Sequence, residues 1–229
     1  LTKKFVKKLN DPEISKFTFR PEGPKGKFTW LSTTNINDVV EQYEKENDDF
    51  LFLGTVPYDF EDLPELGIKS LNFKNLNNEG ISKIGMVINL DYHYQPGSHW
   101  VALYTDLDKN QIYFFDSFGK KPRKKIKNFI NKITKYIYDK NYNEKLNINK
   151  VLNNLKGGSM SEDSTKLIKK LNKFDIKFNN VQHQFKNSEC GVYSINFIIR
   201  LVKGQSFDHI TKNITDDDDM NDCRKVYFN

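Results

Sequence analysis

Cysteine is scarce in this chain. Two residues of 229, Cys190 and Cys223, can form one bridge at most, so no disulfide framework holds the fold. A reducing, intracellular compartment is the expectation. The four histidines make no HExxH, and neither cysteine stands in a CxxC pair, so neither a metal nor another cofactor is called for. No apolar run approaches the ~20 residues that cross a bilayer, and no membrane partner is expected. The opening LTKKFVKKLNDPE is basic but has no apolar core or small-residue cleavage site, unlike a secretory signal. No internal repeat is present.

Hydrophobic residues make up 37% and aromatics 14%, enough to build one core from Phe, Tyr and Ile. Residues 1–33 read as a polar, basic arm, and 34–229 as one domain with a Gly/Ser-punctuated insertion at about 141–173. Thr34 or Asn35 caps a helix whose Val39, Val40 and Tyr43 share a face. DFLFLGTV, residues 83–92, 99–106, 111–116 and 175–184 read as strands, the third and fourth joined by the hairpin loop LDKN. Ile126, Phe129, Ile130, Ile133, Tyr136 and Ile137 recur at helical spacing. Residues 190–202 form a helix apolar nearly all round, ended by Gly204, and ITDDDDMNDCRKVYF a last helix capped by Thr215. The fold class is α+β, with helices on at least one face of a short sheet.

The polar residues at the ends of these elements carry chemistry. A hairpin returns to its origin, so His99 at the start of one strand and Asp116 at the end of the next are neighbours. A carboxylate accepting from the imidazole Nδ1 fixes the tautomer and stabilises the imidazolium. Cys190 opens the buried helix, where the dipole favours a thiolate. Gly191 lets another backbone approach closely. Gln184 ends a strand, and its amide can donate to an oxyanion together with the Cys190 N–H. Nucleophile, base, orienter and oxyanion donor make a complete acyl-transfer set. Taken singly, each has a plainer reading: a structural His, a turn-forming Asp, an inert buried Cys, a Gln bonded to backbone. His183 is an alternative base, although as a neighbour of Gln184 it would point the other way on a strand. Cys223 is assigned no role.

GSHWVALYTDLDKNQIYFFDSFGKKP followed by QHQFKNSECGVYSINF resembles the adenovirus-type and SUMO-deconjugating cysteine proteases. Their pattern is His-Trp, a hairpin, Asp before a Ser/Phe-Gly turn, then Gln, five residues and Cys-Gly. Here it falls on His99-Trp100, Asp116 to Gly119, Gln184 and Cys190-Gly191. Within this group the chain is most similar to the polyprotein-processing proteases of large DNA viruses, such as that of African swine fever virus. That enzyme has Asn where this chain has Asp116.

The resemblance implies a papain-like α+β cysteine-protease fold, with the nucleophile at a helix N-terminus, and cleavage after Gly-Gly in a narrow cleft. Trp100 is the candidate aromatic lid, and plain core packing is its alternative. The implied substrate is a viral structural polyprotein, processed in the host-cell virus factory and virion. The alternatives are a ubiquitin-like modifier or, from another class, a nucleic-acid-binding module on an inactive protease fold. The basic stretch 120–135 is where nucleic acid would bind, unless it is a solvated helix face. A monomer is expected. LKGGSM, residues 155–160, matches the apolar-x-Gly-Gly-x form that adenovirus-type proteases cut, and is either a self-cleavage site or a flexible linker.

Overall fold

The computed structural model describes residues 20–26, 28–142 and 173–229. The insertion beyond residue 142, with LKGGSM inside it, and the first part of the arm lie outside the described residues.

A five-stranded mixed sheet organises the chain, its spatial order following the sequence. The strands are β1 (Phe50–Val56), β2 (Lys83–Asn89), β3 (Trp100–Asp106), β4 (Gln111–Phe115) and β5 (Asp175–Phe178). β2, β3 and β4 form an antiparallel meander, whereas β1 and β5 run parallel to β2 and β4. Parallel neighbours need long crossovers. Three short 3₁₀ turns between Phe60 and Ser70 and helix α2 (Phe73–Asn78) fill the first; α3 (Lys124–Tyr142) lies in the second. Helix α1 (Thr33–Lys45) precedes the sheet, and α4 (Cys190–Val202), α5 (Phe207–Lys212), α6 (Asp217–Asp222) and α7 (Arg224–Tyr227) follow it.

Both faces of the sheet are covered, so its strands read as continuous apolar runs. Side chains still alternate. Trp100, Ala102 and Tyr104 of β3 join the core with α1 and α4, while Val101 and Leu103 join the second core under α3. The periodic apolar face of α3 is buried as its spacing predicts. Gly204 follows α4 in the left-handed region (φ 83°), where a residue without Cβ is favoured.

Several boundaries differ from the sequence reading. The cap of α1 is Ser32, not Thr34 or Asn35: its hydroxyl accepts from the Asn35 N–H, and the Asn35 side chain returns to the Ser32 N–H. The strand predicted over 175–184 ends at Phe178. Beyond it, the Asn179 side chain and the His183 and Gln184 amides bond to the turn after β4 instead of continuing a ladder. The last helix is two helices, and Asp216 rather than Thr215 caps the first. Helix α5 was not foreseen.

Arg20, Pro21 and Gly23 of the arm are docked on the C-terminal segment. The Asn229 N–H donates to the Pro21 carbonyl (3.0 Å), Arg20 donates to the Lys225 carbonyl (2.6 Å), and the Phe228 ring fills the space a Gly23 side chain would take.

Candidate active site

The hairpin does what its geometry requires. Ala102 pairs with Phe115, which puts His99 and Asp116 side by side at one edge of the sheet. Imidazole Nε2 lies 2.8 Å from Asp116 Oδ1, with both residues buried. The nitrogen differs from the expectation: Asp116 takes Nε2, not Nδ1. A turn holds the carboxylate from its own backbone, because the Phe118 N–H also donates to Oδ1 (2.8 Å). Asn179 grips the Asp116 backbone on both sides, accepting from its N–H and donating to its carbonyl, each at 2.8 Å. Gly119 (φ 70°) closes this turn against the backbone of Asn180 and Val181, where a Cβ would sit 2.9 Å from the Val181 carbonyl carbon. The Phe118 ring lies over the imidazole, centroids 4.7 Å apart.

Cys190 is the first residue of α4 and is buried. Its side chain is a hydrogen-bond partner of His99, as Asp116 is. Burial disfavours charge on His99 and is the largest single influence. The hydrogen bond to Asp116, then that to Cys190, then the charges of both outweigh it and raise the imidazole to about 9. At neutral pH this site therefore holds an imidazolium with a carboxylate and a thiol as its partners.

Gln184 sits in a loop, not at a strand end. Its Oε1 accepts from the Ser117 hydroxyl (2.7 Å), and its Nε2 donates to the Lys186 carbonyl (2.7 Å). The Lys186 carbonyl, which can only accept, thereby fixes which end of the amide is the donor, and Nε2 carries a second hydrogen. Asp217 anchors the same loop by accepting from the Phe185 and Lys186 amides (2.8 and 2.9 Å). The acidic run is thus absorbed by capping and loop anchoring. Among the described residues no three His, Cys, Asp or Glu side chains converge as metal ligands.

Two site residues have different surroundings from those expected. Gly191 admits a side chain rather than a backbone: a Cβ there would meet Leu31 Cβ at 3.1 Å and Ile36 Cδ1 at 3.4 Å, inside the core. Trp100 is 7% exposed and its indole N–H donates to the Leu31 carbonyl (3.2 Å), which ties its ring to the arm. The exposed indole nearby is Trp30, at 49%, on the segment that Trp100 and Gly191 hold. Sequence reasoning missed Trp30; a Trp beside a helix cap in an otherwise polar arm was the available signal. His183 is no partner for the thiol, since its Nε2 bonds to the Thr211 carbonyl (3.2 Å) and burial, its largest influence, lowers its pKa. Many lysines of the basic stretch are locally compensated. Lys125 pairs with Asp62, Lys132 with Glu61 and Lys135 with Asp139, as in a solvated helix face.

The family model described as the Ulp1 protease family, C-terminal catalytic domain, matches residues 72–228, which include His99, Asp116, Gln184 and Cys190. The chain belongs to the Ulp1 protease family. A thiol protease of Acanthamoeba polyphaga mimivirus is 36% identical over 92% of this chain, which spans 60% of that relative's length. A cysteine protease of African swine fever virus is 22% identical over 87% of the chain and 68% of the relative. The crystal structure of the African swine fever virus protease superposes with a TM-score of 0.69 at 18% identity, covering 100% of this chain and 91% of that one. The Ulp1 protease domain in complex with Smt3, the yeast ortholog of SUMO, superposes at 0.53 with 19% identity, over 86% and 74% of the two chains. The Ulp1-family fold is thus the papain-like α+β fold that the motifs implied.

Proposed function

We propose that this Ulp1-family chain is a cysteine endopeptidase that cuts after Gly-Gly, most simply a viral maturation protease acting on structural polyproteins in the host-cell virus factory and virion. The observation that carries the chemistry is the convergence of Cys190, His99 and Asp116 at one sheet edge, with the imidazole held charged.

In this reading the Cys190 thiolate attacks the carbonyl carbon of the second glycine, forming a C–S bond. The Gln184 Nε2 and the Cys190 N–H hold the oxyanion. His99 gives its proton to the leaving amine as the C–N bond breaks. It then takes a proton from water, whose oxygen attacks the thioester and releases the acid and the thiol. Asp116 keeps His99 charged and aimed. Trp30, exposed and next in the chain to Leu31, which packs on Gly191, is the aromatic available to press on a backbone with no side chains.

The relatives' viral origin supports a viral substrate, and the likeness to a SUMO protease domain bound to Smt3 keeps a ubiquitin-like modifier as the second substrate class. A panel of Gly-Gly-X peptides against ubiquitin-like fusions separates the two. A thiol-directed Gly-Gly probe should label Cys190 on mass mapping. Cys190→Ala should abolish turnover, and peptidase activity surviving in that variant would overturn the assignment.

A further inference from the structure

Glu189 occupies the N-cap position of α4, one residue before the thiol. A side-chain oxygen at this position commonly accepts from the first helical amides. Here it makes no capping bond. Its carboxylate is instead gripped in bidentate fashion by Arg224 of α7, Nε to Oε2 at 2.9 Å and Nη2 to Oε1 at 2.8 Å, and both side chains are fully buried. The Ser188 hydroxyl completes the carboxylate (3.0 Å). The rest of the guanidinium reaches the Pro24 and Thr29 carbonyls of the arm.

We propose that Arg224 is a positioning residue for Cys190: by holding Glu189 it neutralises the carboxylate beside the thiol and keeps it from capping α4. The first-turn amides and their positive end then remain open to the thiolate and to an oxyanion. An unpaired buried Glu189 would repel the thiolate and compete for those amides. The same guanidinium ties the Trp30 segment to the helix it serves. The other charged groups on the surrounding elements are His99 with Asp116 at the sheet edge, Asp217 on the Phe185 and Lys186 amides, and Lys186 paired with Asp218.

The inference rests on Cys190 being the nucleophile, but its test reads the thiol and not turnover. Iodoacetamide alkylation of Cys190 in the full chain, quantified by mass mapping from pH 5 to 10, gives a midpoint for each variant. Arg224→Met should raise the midpoint by on the order of one unit, slowing alkylation about tenfold at low pH, and Glu189→Gln should lower it. The double variant Glu189→Gln/Arg224→Met and the charge-preserving Arg224→Lys should both return towards the parent. On a Gly-Gly peptide, Arg224→Met should lose kcat with little change in KM. Shifts of the same sign in the two single variants, or an unmoved midpoint in Glu189→Gln, overturn the proposal. Should Arg224→Met fail to fold, Glu189→Gln decides alone. A failure of the functional reading is distinguishable, because it would appear as activity in Cys190→Ala whatever the alkylation midpoints do.

Discussion

The two cysteines of this chain lie on connected elements of one core and in opposite chemical settings. Cys223 caps the junction of α6 and α7. Burial, the largest influence, pushes its thiol up to about 11, with the charges of Asp219 and Asp222 adding to it and that of Arg200 opposing it, and the Asn196 amide lies 3.8 Å from its sulfur. Cys190 is the more buried of the two, yet it faces an imidazole that Asp116 keeps charged, at the open end of a helix. Enclosure by itself silences a thiol; enclosure beside a held cation makes one useful.

Removing those partners is the way to break the contrast. Asp116→Asn keeps the shape of the turn but takes away the charge that holds the imidazolium, and should lower kcat by about 10²–10⁴-fold in a peptide assay. Gln184→Ala should cost on the order of 10²-fold in kcat, with KM little changed, as expected for a donor used by the oxyanion. The pH profile sharpens the comparison further. His99 is raised, so its proton is held through neutrality and lost as pH rises through about 9; activity should fall over that limb. The same sign applies to stability. The contribution of this imidazolium is full below the unfolded value of about 6.5 and disappears as pH climbs through about 9, so melting temperatures should decline over that window, less so in Asp116→Asn. The smallest effect belongs to the other thiol: Cys223→Ala should leave kcat/KM within about twofold, since nothing at the sheet edge depends on it.

What could be read from the sequence follows from how local each constraint is. His99 and Asp116 were placed by hairpin geometry, and Cys190 by the onset of an apolar helix. Gln184 was found, but not its holder, because Ser117 meets it across 67 residues. Asn179 was mistaken for strand interior, since nothing in DIKFNNVQHQ says that its side chain leaves the ladder for Asp116. The Glu189–Arg224 pair spans 35 residues and gives no periodic signal at all. Gly191 was correctly seen as a point of close approach, but what approaches, Leu31, comes from the arm and is visible only once the chain has closed. Trp30 was missed for the same reason: which indole is exposed depends on where residues 28–31 come to lie.

The Phe118 ring stacked on His99 has a use beyond packing. Aromatic ring currents shield protons held above the ring face, and these rings lie 4.7 Å apart and 27° from parallel. The Phe118 ring should therefore add its own shielding to the imidazole C–H resonances, an offset that Phe118→Leu would remove, and the movement of those resonances with pH lets the charge state of this one side chain be followed by NMR in the resting protein, with no label and no substrate.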